Sequence, residues 1–365
     1  METRGHGWER EQWQVVDAEQ EQGPSDDLTL VVSGEFLPGE EAEREATTPG
    51  RALVPVRAPT VEEVLEAFRE WMRLDVADGN ASPHTLRTYF SDVRQHLEWL
   101  AAQGLTPAQA CEDDLKQYRA GMVERYAVST VGRKLSSIRR FYGMAMARGA
   151  LNQNPAAGLK APRDNTARHE RVKYLPLDTV RRVLAAPNVN QAKGLRDKAI
   201  LVLMAMHGLR VVEVHRLNME NVDLEAGEAG QLRVFGKGDK WRTILLIEQT
   251  REILRMWLTA RALMRSGSPA VFLSMHWNGP NERITTRGIR AMVNGYLEDV
   301  GAKREGISCH ALRHSFATLS LAAGGSLLAI SGALGHASVT TTQVYAKIVD
   351  KAKNNPAKLL GGLLE

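Results

Sequence analysis

The chain has 365 residues, 43% hydrophobic and 25% charged, with Cys111 and Cys309 as its 2 cysteines, which suits two globular domains and excludes a disulfide framework or a cysteine-based zinc site. No apolar run approaches the roughly 18 residues of a membrane span, and the opening Met-Glu-Thr-Arg continues polar without an apolar signal segment, so a cytoplasmic protein is expected. Residues 1–58 carry 5 Lys+Arg against 13 Asp+Glu and residues 59–365 carry 42 against 30, so an acidic arm of net −8 precedes a body of net +12 whose sign suits a polyanion such as DNA.

Residues 1–58 show no sustained periodicity and read as a disordered extension. From Thr60, a candidate N-cap, Val61, Val64, Leu65, Phe68, Trp71 and Met72 form the stripe of an amphipathic helix. A second helix starts with Ser82 as cap and Pro83 in its first turn and stops at Gly104; a third runs from about 112 to 125; a fourth opens at Ser129 and stops at Gly149. Arg133, Lys134, Arg139 and Arg140 are expected on one basic side of the fourth helix, where a phosphate backbone would lie. Arg87 on the second helix joins them as a candidate DNA contact, with Lys160 and Arg163 in a linker over 153–173. Residues 59–152 thus form a small all-helical domain.

A domain of mixed type follows over 174–350. Helical runs at about 178–186 and 195–206 precede Gly208, and a short helix starts after Arg210. Strands 231–235 and 241–247 are joined by Gly236-Lys-Gly-Asp-Lys240 as a hairpin, and helices are expected near 249–265, 286–300, 310–323, 326–333 and 339–350.

Within the 36 residues from His310 to Tyr345 lie groups that suit chemistry on a phosphodiester. Imidazoles move protons near neutral pH, a guanidinium grips two phosphate oxygens, and a phenol can hold a phosphoester. His310 and Arg313 are three apart on one helix and project from one face. His310 and His314, at i and i+4, also have the spacing of a zinc-protease helix, but Ala311 stands where that pattern needs glutamate and Arg313 would repel a dication. Arg210 near a helix start would pair with Arg313 around a phosphate, with Glu213 either orienting a cation or making a surface ion pair. Lys237 on the hairpin turn is a candidate general acid, with Lys240 its rival. His336 follows the helix stop Leu334-Gly335, and Ser338 is the candidate cap of the helix carrying Tyr345.

As a set these positions resemble the tyrosine recombinase family, the phage-integrase and Xer-like site-specific recombinases. Arg210 fits Gly-Leu-Arg-x-x-Glu, Lys237 fits Gly-Lys-Gly, and His310 and Arg313 fit His-x-Leu-Arg-His-x-Phe-Ala-Thr; His336 fits Leu-Gly-His and Tyr345 fits Thr-Thr-x-x-Tyr. The resemblance spans about 59–350, by motif in the second half and by helix pattern alone in the first. It implies a mainly α protein with a small antiparallel sheet: a SAM-like α-helical core-binding domain and an α-rich catalytic domain that close as a C-shaped clamp on duplex DNA. Tyr345 would attack the scissile phosphate to give a 3′-phosphotyrosyl bond, with Lys237 as acid, His310 as acid/base helper, Glu213 and His314 in support, and no metal or other cofactor. The implied partners are double-stranded DNA with inverted sites and further protomers in a tetramer, alone or with a paralogous recombinase or accessory protein. The leucine-rich tail 351–365 is expected to dock on a neighbouring protomer. The alternatives are relaxation of DNA in the manner of a type IB topoisomerase and a catalytically silent DNA-binding regulator of the same fold.

Overall fold

The computed structural model describes residues 60–76, 81–236, 240–264, 266–275, 281–336 and 338–353, so the acidic arm, Lys237 at the hairpin tip and the tail from 354 lie outside the described residues. The chain divides into two compact units between Asn165 and Thr166.

The N-terminal unit is built from α1 (Val61–Asp75), α2 (Pro83–Ala102), α3 (Glu112–Arg125) and α4 (Val128–Ala147). Their starts follow local chemistry. Thr60 and Glu63 exchange side-chain and backbone bonds as a capping box on α1, and Ser82 accepts from the Thr85 N–H ahead of Pro83. The core joins Phe68, Leu97, Leu100, Leu135, Ile138 and Phe141, with Phe68 and Phe141 edge to face at 5.7 Å.

Helix α4 does not present its four cations together. At 100° per residue Arg133 and Arg140 share one side and are exposed, whereas Lys134 is buried on the core stripe and Arg139 turns to the opposite flank. Lys134 Nζ donates to Asp92 at 3.3 Å and to Gln95 at 2.6 Å, and Ser137 and Arg133 donate to the same buried carboxylate. Arg139 donates to the Leu159 carbonyl at 2.8 Å and fastens the segment after α4. The expected four-residue basic side is therefore corrected to Arg133 and Arg140, because a cation with a buried carboxylate partner can occupy an inward position. Arg87, Lys160 and Arg163 are exposed.

His96 is fully buried against Tyr142, 3.0 Å from its hydroxyl, and desolvation lowers its pKa to about 3. Unfolded chain takes up this proton near pH 6.5 and the folded unit does not, so stability rises with pH across the window from about 3 to 6.5. We expect melting of the N-terminal unit, followed by calorimetry, to lose up to about 1.4 kcal/mol per pH unit as pH falls through that window. His96→Phe should flatten this acid limb; an unchanged limb would show that other groups set it.

The C-terminal unit carries α5 (Arg168–Arg171), α6 (Leu177–Ala185), α7 (Ala192–Met206), α8 (Val211–Arg216), α9 (Glu248–Ala262), α10 (Thr286–Asp299), α11 (Cys309–Ala322), α12 (Leu327–Leu334) and α13 (Gln343–Lys353). Its sheet is antiparallel in the order β1 (Val222–Asp223), β2 (Gln231–Phe235), β3 (Trp241–Leu245), with Phe235 opposite Trp241 and the Gly236 N–H donating to the Lys240 carbonyl at 2.8 Å. Helix α7 runs through the core, buried from Ala199 to Ala205, and packs on α9 and α11. The mainly α architecture with a small antiparallel sheet is as expected from the sequence. One helix differs: the run from 339 is a 3-10 turn over Val339–Thr341, which Ser338 caps, and the helix carrying Tyr345 begins at Gln343. Among the described residues no helix is long and apolar enough to cross a membrane.

Candidate active site

The site is assembled where the loop after α7, the start of α8, strand β3, helix α11 and the loop after α12 meet. Gly208, with φ +67, ends α7, and a side chain there would approach Phe316 to 2.5 Å and Leu334 to 2.8 Å. The backbone can therefore come close enough for its carbonyl to accept from Arg313 on α11. Arg313 also donates to the Leu334 carbonyl at 2.6 Å and to His336 Nε2 at 3.2 Å. Burial, chiefly, lowers the Arg313 pKa to about 10, which leaves it charged at neutral pH.

Glu213 is 3% exposed, so it makes a buried contact and not a surface ion pair. Its carboxylate accepts from the Arg210 backbone N–H at 2.8 Å and from the Arg210 guanidinium at 2.7 Å. Arg242 on β3 donates to both its oxygens, at 2.9 and 2.8 Å, and Arg313 lies 3.9 Å away. Burial alone would raise the Glu213 pKa, but the bonds and charges of Arg242 and Arg210 outweigh it and hold the carboxyl below its usual value. Three guanidiniums against one carboxylate leave an excess of two positive charges. Arg210 keeps 30% of its side chain exposed and can reach a bound anion.

The histidines add no charge at neutral pH. Desolvation chiefly lowers His314 and His336 to about 4, with His310 and Arg313 adding to it at His314 and Arg313, Arg210 and Arg242 at His336, and His310 is pushed below its ordinary value by desolvation and by Arg290, Arg313 and Arg210. Because Arg313 can only donate, His336 accepts at Nε2, so its Nδ1 carries the proton and donates to Thr342 Oγ1 at 2.8 Å.

Tyr345 is 5% exposed, packed with Ala317, Ile330 and Leu334, and its hydroxyl pairs with His314 Nδ1 at 2.8 Å. Burial raises the phenol pKa while Arg313 and Arg210 pull it down; burial prevails, so the hydroxyl is protonated at neutral pH. The structure thus brings together Arg210, Glu213, Arg313 and His336 in one bonded cluster, with Tyr345 and His314 as a pair beside it. His310 lies on the exposed side of α11, and Lys237 lies outside the described residues.

Two members of the cluster escape sequence reasoning. Thr342, fully buried, accepts from His336 Nδ1, and Arg242 braces Glu213. The signal for Arg242 was its alternation with the buried Ile244 and Leu246, which puts a cation on the inner face of β3.

A phenol, neutral imidazoles and an excess of guanidinium charge define a site for phosphoryl transfer. The model of the phage integrase family matches residues 173–352, and that of the phage integrase N-terminal SAM-like domain matches 70–149. A tyrosine recombinase XerC of Pelobacter propionicus is 34% identical over 294 residues, covering 80% of this chain and 92% of that protein. A XerH site-specific recombinase bound to palindromic difH substrate has a similar fold, with TM-score 0.67 at 19% identity over 83% of this chain and 86% of the other. A lambda integrase tetramer bound to a Holliday junction gives TM-score 0.59 at 16% identity over 79% and 77%. This chain belongs to the phage integrase family of tyrosine recombinases, enzymes that cleave and rejoin DNA.

Proposed function

We propose that this recombinase acts at a specific duplex site made of two inverted half-sites, with Tyr345 as nucleophile and the Arg210–Arg313 pair as the phosphate clamp. The observation that carries the assignment is the Tyr345 hydroxyl, buried 2.8 Å from His314 Nδ1 and within the field of Arg313 and Arg210. A protonated phenol is a poor nucleophile, so attack requires a proton acceptor, and the neutral His314 ring, with its own proton on Nε2, accepts that hydrogen at Nδ1 across 2.8 Å. The phenolic oxygen bonds to phosphorus, the bond to the 5′-oxygen breaks, and that oxygen leaves as a hydroxyl with a proton from Lys237. Arg210, Arg313 and His336 face the charge that grows on the non-bridging oxygens. The phosphotyrosine retains the bond energy, so a partner strand's 5′-hydroxyl reverses the step, and two rounds exchange strands through a Holliday junction.

Exchange between duplexes needs one protomer per half-site, hence a tetramer of this chain, alone or with a paralogous recombinase or accessory protein; the exposed Arg87, Arg133 and Arg140 supply cations for the DNA backbone. Acting on DNA, the enzyme is placed in the cytoplasm. A topoisomerase-like role or a silent regulator is disfavoured by its kinship to recombinases with 92% of one relative's length covered.

The test is capture of protein-linked fragments after denaturation, from host DNA incubated with the protein in EDTA. Sequencing should return one inverted-repeat site, peptide mapping should find the nucleotide on Tyr345, and sedimentation should give four protomers per two joined duplexes. A nucleotide on another residue, or specific DNA retained without a covalent link, would sink the assignment.

A further inference from the structure

Arg242 belongs to none of the motifs, yet it binds the site at two separate points. Its Nη1 and Nη2 donate to the two oxygens of Glu213 at 2.9 and 2.8 Å, and its Nε donates to the Ala333 carbonyl at 3.0 Å. Glu213 in turn holds Arg210 by main chain and side chain. Two residues beyond Ala333, Gly335 lies against the guanidinium: a Cβ there would stand 3.1 Å from Arg242 Cδ and Nη1 and 3.2 Å from Cζ. Gly335 therefore needs to be glycine twice over, for its φ of +61 and for this approach, and it directly precedes His336. On the hairpin side, a Cβ at Gly236, next to Lys237, would lie 3.3 Å from Nη1.

We propose that Arg242 is a positioning residue for DNA cleavage, acting through Glu213 on Arg210 and through the Ala333–Gly335 backbone on His336. This rests on the reading of Arg210, Arg313 and His336 as the groups that meet the scissile phosphate. Arg242 does not meet the phosphate itself. All three of its guanidinium nitrogens donate to protein acceptors, Nη1 and Nη2 to Glu213 and Nε to Ala333. What it supplies is geometry. A planar fork can engage both oxygens of a carboxylate while its Nε reaches a third acceptor, and an ammonium cannot. Because β3 leaves the hairpin directly, one side chain joins the strand next to Lys237, the start of α8 and the loop before His336. These contribute groups from three separate stretches of sequence, whose relative placement no single helix or strand would fix.

The experiment uses the full-length protein and a duplex carrying its own site, nicked so that the cleaved 5′ fragment diffuses away. Single-turnover cleavage is compared for wild type, Arg242→Lys and Arg242→Met on a phosphodiester and on a methylphosphonate at the scissile position. Misplacing a clamp by a fraction of an ångström to an ångström lowers rate by about 10- to 10²-fold. We expect Arg242→Lys to lose that much on the phosphodiester, with DNA affinity within about threefold of wild type, since the lost interaction counts in the transition state. On the methylphosphonate, which lacks one non-bridging charge and asks less of the clamp, the deficit should shrink. The ratio between the two substrates is taken within one protein, so a partly unfolded variant does not disturb it. Cleavage by Arg242→Lys at the wild-type rate, a deficit equal on both substrates, or a loss matched by lost DNA affinity overturns the assignment. Wild-type protein that forms no Tyr345-dependent adduct on either substrate overturns the reaction reading, and the role of Arg242 with it.

Discussion

Arg313→Ala is expected to lower single-turnover cleavage by on the order of 10³ to 10⁵, the range found for guanidiniums that stabilise phosphoryl transfer. Two effects act together. The charge lost is one of three guanidiniums that give the site its positive excess, and it sits 6% exposed where water screens it little. The framework lost is the fork that ties the Gly208 and Leu334 carbonyls together and holds His336 by Nε2. Each buried carbonyl left without a donor costs about 1 to 3 kcal/mol, so the variant should also melt earlier. Arg313→Lys separates the two effects: it restores charge without the fork and should recover little rate. DNA affinity should fall far less than rate, with the salt slope of binding reduced by about one phosphate contact. Cleavage by Arg313→Ala within about tenfold of wild type would remove Arg313 from the clamp.

Much of this site is legible in the sequence because its chemistry is local. Gly208 and Gly335 mark breaks where the chain needs positive φ, and caps at Thr60 and Ser82 set helix starts to the residue. What stays hidden is pairing between distant elements. Lys134 lies four before Ile138 and seven before Phe141, on the same stripe that fills the core. Phase alone places it inward; reading its charge as exposure places it outward, and only Asp92 on α2, 42 residues earlier in the chain, decides between them. Arg242 is hidden for the same reason, since its partners Glu213 and Ala333 are 29 and 91 residues away. The turn before Tyr345 misleads differently: Thr340, Thr341 and Thr342 read as the first turn of a helix, yet Thr342 is fully buried with its hydroxyl on His336. That bond ties the loop to the site, and regular helix begins after it.

Glu213→Gln should be the most destabilising conservative change in the C-terminal unit, by about 3 to 5 kcal/mol, the usual result of removing one partner from a buried ionic cluster. An amide keeps one acceptor oxygen but turns N–H groups toward guanidiniums that only donate, so Arg210 and Arg242 cannot both be satisfied. The three arginines then repel with nothing between them, and Arg210 and Arg242 lose their shared anchor. The same reasoning fixes what should repair the damage. A polyanion that enters between the arginines supplies the missing negative charge, so cognate duplex should raise the melting temperature of Glu213→Gln more than that of wild type. The pH dependence has a definite sign. With its folded pKa held below the ordinary carboxyl value, Glu213 contributes stability that is full above about pH 4.5 and is lost as pH falls through the lowered pKa. Glu213→Gln should lack that acid-labile part. Cleavage should fall with the fold intact under DNA, because the clamp is then held by the substrate and not set before it binds. Equal DNA-induced shifts in the two proteins, measured by thermal melting at one salt concentration, would show that Glu213 does not neutralise the phosphate site.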